Sequence, residues 1–209
     1  MLANRVAASP ELREITVFDL NPEAVTRFVG EASAGGAAVG GADNYADTVR
    51  GADVVFTCLP RSLDVQGVAD ALLRDGAVGK SVWVDCTSGD PEQARGLGAI
   101  LGEAGCEYID CAVSGGPKGA LNGTLTAMLG VPEDSPNVPL FRPLVAEFAS
   151  NIVHCGPTGS GFAIKAVNNA MMGTHILVAA EVCVRVRAGV YIRARSTNIR
   201  NTYSRSHSN

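Results

Sequence analysis

Residues 53–91, DVVFTCLPRSLDVQGVADALLRDGAVGKSVWVDCTSGDP, contain the pattern that decides the fold. Two short runs, 53–58 and 81–85, have the β-branched and apolar residues that favour strands. A longer segment whose apolar residues recur at helical spacing separates the two runs. Because a strand, a helix and a second strand in this order form a βαβ unit, the stretch predicts two parallel strands joined by a helix.

The same alternation continues on both sides of this unit. Asn21-Pro22 and Asp90-Pro91 each place a capping side chain before a proline that suits the first position of a helix. The chain is therefore predicted to be an α/β protein with a parallel sheet. Seven strands are predicted, at residues 15–19, 37–39, 53–58, 81–85, 107–111, 124–129 and 151–155.

A different pattern begins at Ser160. Apolar residues recur at helical spacing as far as Val182, which predicts one helix of about 25 residues from Ser160 to near Val184. So long a helix is typical of the core of a second, helical domain. Residues 191–209 have only isolated apolar side chains and are predicted to form a disordered, basic tail.

Composition limits the kinds of protein that this chain can be. It has 209 residues, of which 46% are apolar and 18% charged, and no apolar run approaches the ~18–20 residues of a membrane span. The net charge of −4 combines six arginines and no acid in residues 185–209 with an acidic remainder. Because phosphate contacts need a positive field, we expect no nucleic acid as partner. The lack of a long apolar run leads us to expect no membrane.

The six cysteines are scattered along the sequence and lack metal-ligand spacing. Most lie in or beside apolar runs, so buried, reduced thiols are expected rather than disulfides or a zinc site. Reduced thiols indicate a reducing compartment, cytoplasmic or mitochondrial. Residues 1–9 have no signal-peptide pattern, so a secreted protein is not expected.

Asp19, at the end of the first predicted strand, is the first candidate functional residue. In a dinucleotide-binding fold, an acid at the end of the second strand binds the hydroxyl groups of the adenosine ribose. The alternative interpretation is an aspartate that starts a turn. The GxGxxG pattern that should lie about 20 residues upstream is missing from the sequence.

The second candidate is the glycine-rich segment 110–130, DCAVSGGPKGALNGTLTAMLG. Ser114, Gly115 and Gly116 leave backbone N–H groups unobstructed for an anion such as a carboxylate. A tight, irregular turn would explain the same glycines without any ligand.

The third candidate is Lys165 in residues 156–169, GPTGSGFAIKAVNN, one of only three lysines in the chain. Its apolar neighbours predict a lysine that loses hydration, which lowers the pKa toward the range useful in general acid–base catalysis. Asn169 lies one helical turn further along the same face and can help to place a substrate. The alternative is a lysine whose stem covers apolar surface while its ammonium stays in water.

Together these segments resemble the β-hydroxyacid dehydrogenase family, which includes 3-hydroxyisobutyrate dehydrogenase and, more distantly, 6-phosphogluconate dehydrogenase. Residues 110–130 are similar to the family's substrate loop, D-x-x-V-S-G-G-x-x-G-A-x-x-G-T-L-x-x-M-x-G. Residues 159–169 are similar to its catalytic helix, G-x-G-x-x-x-K-x-x-N-N. Cys58-Leu59-Pro60 resembles the M-L-P turn against the cofactor, and residues 84–91 resemble V-D-x-S-T-x-x-P, which puts Ser88 toward the nicotinamide.

The resemblance implies a fold and a reaction. Residues 1–157 are expected to form a Rossmann-type, doubly wound and mostly parallel sheet, and residues 158–190 the first helix of an all-α domain. The reaction implied is reversible hydride transfer between NAD and a 3-hydroxy acid or its semialdehyde. Asp19 followed by Leu20 favours NAD, and NADP stays open.

The resemblance also implies a role for each matching residue. Lys165 is expected to be the general acid/base, with Asn169 holding the substrate beside it. The substrate's carboxylate is expected to bind to Ser114, Gly115 and Gly116. The residues expected to contact the cofactor are Asp19, Leu59, Pro60 and Ser88.

The sequence departs from the family pattern at both ends. Met1 falls at the Met of the family's G-L-G-x-M-G loop, so the sheet is expected to lack its first strand, and residues 191–209 do not resemble the family. Two hypotheses therefore stay open: a dehydrogenase given as a fragment, or an inactive or non-catalytic interaction protein that keeps the fold. The expected partner is a small carboxylate-bearing substrate, with a homo-oligomer expected only for the full-length form.

Overall fold

The computed structural model describes residues 1–32 and 37–187. The chain divides into two compact units, Met1–Lys165 and Ala166–Asn209. The predicted tail, 191–209, lies outside the described residues.

Strands and helices alternate along the first unit, as the sequence pattern predicts, and all seven predicted strands are present. The elements in order are α1 Leu2–Val6, β1 Glu14–Val17, α2 Pro22–Ala32, β2 Ala38–Gly41, α3 Tyr45–Val49, β3 Val54–Thr57, α4 Ser62–Arg74, β4 Val82–Asp85, α5 Pro91–Glu103, β5 Glu107–Ser114, α6 Gly116–Asn122, β6 Leu125–Gly130, α7 Val138–Ala146, β7 Ala149–Gly156 and α8 Ser160–Arg187.

The strands form two sheets in the described part of the chain. Five strands, in the order β3-β4-β5-β6-β7, are parallel except for the antiparallel pair β5 and β6. The strands β1 and β2 form a separate parallel pair. The predicted mostly parallel α/β fold is confirmed. Its strands are divided between two sheets, because no described strand hydrogen-bonds to both β1 and β3.

Helices cover both faces of the five-stranded sheet. Side chains alternate along each strand, so Val84 and Ile109 pack with Phe141 and Phe148 on one face. On the other face, Trp83 and its neighbours pack against apolar residues of α4 and α5. Because both faces are covered, every residue of β4 is buried.

The two predicted helix starts are confirmed. Helix α2 begins at Pro22, and the backbone N–H of Glu23 donates to the side chain of Asn21. Helix α5 begins at Pro91, and Asp90 accepts hydrogen bonds from the two backbone N–H groups that follow this proline. Each cap satisfies amides that have no partner within the helix.

Helix α8 starts where the sequence predicts and continues to Arg187. By length and composition alone, Ser160–Val186 would suffice to cross a membrane, although core helices of soluble proteins pass the same test. The predicted core helix is exposed from Ala166 onward, except for the half-buried Asn168. The physical reason is that no other element is described in the second unit to cover its apolar side chains.

Candidate active site

Two turns at the carboxyl ends of β3 and β4 lie side by side. The backbone N–H of Leu59 donates to the Thr87 hydroxyl at 3.0 Å, and the N–H of Asp90 donates to the Ser62 hydroxyl at 2.8 Å. The structure therefore brings together two segments that the sequence analysis identified separately, Leu59-Pro60 and Ser88. Pro60 and Ser88 are exposed and Leu59 is half-buried, so a ligand has access to this edge.

A buried carboxylate supports both turns from below. Asp85, which is 1% exposed, accepts hydrogen bonds from the Thr57 hydroxyl at 2.8 Å, the Thr87 N–H at 3.0 Å and the Tyr108 hydroxyl at 2.7 Å. Burial, and then the charge of Asp85, raise the pKa of Tyr108 far above its usual value, so its hydroxyl stays a donor. Asp85 thus fixes Thr87, and Thr87 in turn holds Leu59.

Ser114, Gly115 and Gly116 form the turn between β5 and α6. The φ angles of Gly115 and Gly116 are +133° and +65°, which side chains other than glycine rarely adopt. A Cβ atom on Gly115 would also come within 2.9 Å of the Leu125 side chain. The turn itself therefore requires glycine at both positions, and the two glycines are exposed where a small anion can reach them.

Lys165 lies near the start of α8 and is half-buried. Burial lowers the pKa of its ammonium, which is the direction that its apolar sequence neighbours predict. Asn169 is exposed on the next turn of the same helix and belongs to the second unit.

The first turn of α8 is bound to β5 by a side chain that sequence reasoning missed. The carboxylate of Asp110, which is 0% exposed, accepts the Gly159 N–H at 2.6 Å on one oxygen and the Phe162 N–H at 2.8 Å on the other. Burial raises the pKa of Asp110, and the hydrogen bonds from backbone N–H groups oppose that rise. The sequence contains a signal for both Asp85 and Asp110, namely an acid within an apolar strand. Such an acid needs hydrogen-bond partners when the strand is buried.

Phe162 links α8 to the β4–α5 turn. Its ring lies against Gly89, where a Cβ atom would collide with it, and it is almost fully buried. Gly89 follows Ser88, so the candidate cofactor turn packs directly on the first turn of the helix that carries Lys165.

Asp19 follows a strand of the two-stranded sheet, whereas the other candidates end or follow strands of the five-stranded sheet or lie on α8. It is exposed two residues beyond the end of β1, so the strand is shorter than predicted, and its side chain accepts the Asn21 N–H at 2.8 Å. Within the part of the chain that the structure describes, it shares no hydrogen bond with the other candidate residues. The observed geometry is that of the turn interpretation, and the ribose-binding role stays a prediction.

The six cysteines are all free thiols, but their burial differs. The expectation of buried thiols is confirmed at Cys86, Cys106 and Cys111 and is wrong at Cys58 and Cys183, which are exposed. Cys58 directly follows the carboxyl end of β3, and Cys183 lies on the exposed part of α8.

Comparison with known proteins identifies the family. Residues 2–156 match the model of the NAD binding domain of 6-phosphogluconate dehydrogenase. The chain belongs to this family. Among curated relatives, the chain is 38% identical over 170 residues to an NAD-dependent L-serine dehydrogenase of Pseudomonas aeruginosa, covering 80% of the chain and 54% of that protein. It is 32% identical over 183 residues to a 3-hydroxyisobutyrate dehydrogenase of the same organism, covering 87% and 58%.

Solved structures of the family have the same fold. A Mycobacterium tuberculosis 3-hydroxyisobutyrate dehydrogenase with L-serine superposes with a TM-score of 0.76 at 27% identity, covering 90% of this chain and 62% of that one. The resemblance stated from the motifs, the Rossmann-type fold and NAD as the family's cofactor are thus confirmed. The chain spans little more than half the length of these curated relatives. The domain bounds, the roles of site residues and the compartment stay predictions.

Proposed function

We propose that this chain carries the active-site residues of an NAD-dependent dehydrogenase for small 3-hydroxy acids. The observation that carries the proposal is Lys165, a half-buried lysine on a helix whose first turn is bound to β5. Burial lowers the pKa of its ammonium and so favours the neutral amine that a general base requires. The match of residues 2–156 to an NAD binding domain supports the same class of reaction.

The substrate class follows from what the names of the two curated relatives share. L-serine and 3-hydroxyisobutyrate each carry a carboxylate and a CH2OH group on one carbon atom. This pair of groups is therefore the unit that the site recognises, while the third substituent, amino or methyl, differs between the two acids.

The carboxylate of the substrate binds at the β5–α6 turn. The Ser114 hydroxyl and the backbone N–H groups of Gly115 and Gly116 supply donors there without a side chain in the way. Because the substrate is held by its carboxylate, the orientation of its CH2OH group is fixed, which lowers the entropic part of the reaction barrier.

Proton transfer belongs to Lys165. Its Nζ atom accepts the proton of the substrate hydroxyl during oxidation and returns a proton to the carbonyl oxygen during reduction. The side-chain amide of Asn169, one turn further along the helix, orients the substrate's oxygen. NAD bound at the edge formed by the carboxyl ends of β3 and β4 would supply the acceptor for the hydride that leaves the carbon atom.

The residues of this edge fit the nicotinamide end of NAD. Open α/β sheets bind nucleotides at the carboxyl ends of their strands, which is where Leu59, Pro60 and Ser88 lie. Thr87 and Asp85 hold these turns in place before any ligand binds. Asp19 is the candidate for the adenosine ribose, and the sequence contains no GxGxxG segment to which the pyrophosphate can be assigned.

The test is NAD titration by calorimetry, followed by NADH formation with L-serine and with 3-hydroxyisobutyrate. Saturable NAD binding and NADH formation with either acid are the expected results. The matched control is the amide of the same hydroxy acid, which keeps the CH2OH group but has no carboxylate and should react far more slowly. Absence of NAD binding at millimolar concentration would overturn the proposal for this chain.

A further inference from the structure

Asp110 accepts hydrogen bonds from the start of α8, but it is not an ordinary helix cap. A usual cap is the residue just before the helix, whose side chain bonds to amides two or three residues later. Asp110 instead lies on β5, 49 and 52 residues before its partners Gly159 and Phe162. Its two carboxylate oxygens therefore join the helix to the sheet rather than end the helix locally.

The surroundings of Asp110 leave it little freedom to move. A Cβ atom at Gly130, its partner across β5 and β6, would collide with the carboxylate. A Cβ atom at Gly161 would lie 2.9 Å from one carboxylate oxygen and against the Met128 carbonyl. Glycine at these two positions makes room for a buried carboxylate, so the side chain has one defined place between sheet and helix.

We propose that Asp110 is the positioning residue for Lys165, because its carboxylate fixes the first turn of α8 on β5. This inference rests on the proposed function for its catalytic meaning. Phe162 and Lys165 are three residues apart and so lie close together on one side of the helix. Ser114 follows Asp110 by four residues on β5, so one carboxylate ties the proposed base to the strand that carries the substrate turn.

The first experiment measures the titration of Lys165 directly. Reductive methylation with 13C-formaldehyde labels four amines, those of Lys80, Lys118, Lys165 and the N-terminus, and so gives few signals to assign by NMR. In the wild-type chain, the Lys165 signal should titrate below the ordinary lysine value of about 10.4. In Asp110→Asn it should shift back toward that value, because the amide group cannot accept both N–H groups and the helix start becomes hydrated.

The matched control is Asp90→Asn. Asp90 also accepts two backbone N–H groups at a helix start, but it caps α5 and is exposed. It should leave the Lys165 titration unchanged. A folded Asp110→Asn chain with the wild-type Lys165 titration, or an equal shift in Asp90→Asn, would overturn the proposal.

A second measurement needs no variant. Protonation of Asp110 should shift the amide signals of Gly159 and Phe162 together, at a pH above the usual aspartate value of about 3.9. The Lys165 methyl signal should show an inflection at the same pH, and its absence would overturn the proposal. Tyr108 and Cys155 also interact with the charge of Asp110, but burial raises both their pKa values, so neither titrates in this acidic range.

Neither NMR measurement uses NAD, so failure of the proposed function is visible separately. If the chain forms NADH, Asp110→Asn should lower kcat by up to about 100-fold, as expected for a misplaced catalytic group, with KM for NAD little changed. An equal loss in kcat and NAD affinity would indicate a general structural defect and would contradict a positioning role.

Discussion

The two sheets of this protein hold their candidate residues in different ways. In the five-stranded sheet, the buried carboxylates of Asp85 and Asp110 accept hydrogen bonds from neighbouring strands, turns and a helix. Next to the two-stranded sheet, Asp19 follows β1, is exposed, and its side chain bonds within its own turn. The cluster of buried residues beside β1 and β2 is also small, with Ala7, Phe28 and Ala32.

This difference shows which part of the site is fixed before a ligand binds. A buried carboxylate costs free energy unless its hydrogen bonds are made, so the segments bonded to Asp85 and Asp110 have one favoured arrangement. Among the described residues, the turn at Asp19 contains no such buried carboxylate, and the Asp19 side chain bonds within the turn. The proposed base, Lys165, thus lies on a helix bonded to the preorganised sheet, and the proposed substrate turn follows β5 of that sheet. The proposed ribose contact, Asp19, follows a strand of the less constrained sheet.

The largest effect is expected at the preorganised sheet, from Lys165→Ala. Loss of the general acid/base should lower kcat by about two to four orders of magnitude, with NAD affinity little changed. The measurement is NADH formation under saturating NAD and hydroxy acid. The control is Lys80→Ala, because Lys80 is an exposed lysine before β4, and this variant should keep wild-type turnover. A Lys165→Ala chain with most of its turnover would remove this residue from the acid–base role.

A smaller effect, on stability, is expected from Asp85→Ala. The substitution leaves the Thr57 and Tyr108 hydroxyls and the Thr87 N–H without their shared acceptor in a buried place. With about 1–3 kcal/mol for each buried polar group left unpaired, the free energy of unfolding should fall by roughly 3 kcal/mol or more. Urea unfolding measures it, and Asp85→Asn should lose less because it keeps one acceptor oxygen.

The smallest effect is expected from Asp19→Ala. An exposed side chain that bonds only within its turn should change the free energy of unfolding by no more than about 0.5–1 kcal/mol. NAD affinity should fall modestly, since the proposed contact to the ribose is lost. A stability loss equal to that of Asp85→Ala in the same urea experiment would contradict the contrast between the two sheets.

Sequence reasoning predicted the elements of this fold but not what connects them. Periodicity and the capping pairs at Pro22 and Pro91 are local signals, so the strands and helix starts were predicted well. An acid within an apolar strand, such as Asp110, indicates that buried partners exist but not which residues they are, because Gly159 and Phe162 lie about 50 residues further along the chain. For the same reason, periodicity predicted α8 but not that its side chains beyond Lys165 are exposed.

The site was predictable in the same uneven way. The motifs predict that Leu59, Pro60 and Ser88 all contact the cofactor. In the structure their two turns are neighbours because the Thr87 hydroxyl accepts the Leu59 N–H. The apolar neighbours of Lys165 indicated the direction of its pKa shift, since desolvation depends mainly on nearby side chains. The tie from Lys165 to β5 needed the three-dimensional structure.

The pH dependence of NADH formation tests the central claim most directly. The proposed general base is the neutral form of Lys165, and burial lowers the pKa of this group. The rate of oxidation should therefore rise with pH and reach half its maximum below the ordinary lysine value of about 10.4. The reverse reaction needs the protonated form and should slow over the same range. Such a profile in the wild-type chain, absent from Lys165→Ala, is the predicted result. An NAD-bound chain that forms no NADH, or the same profile in both chains, would contradict the account.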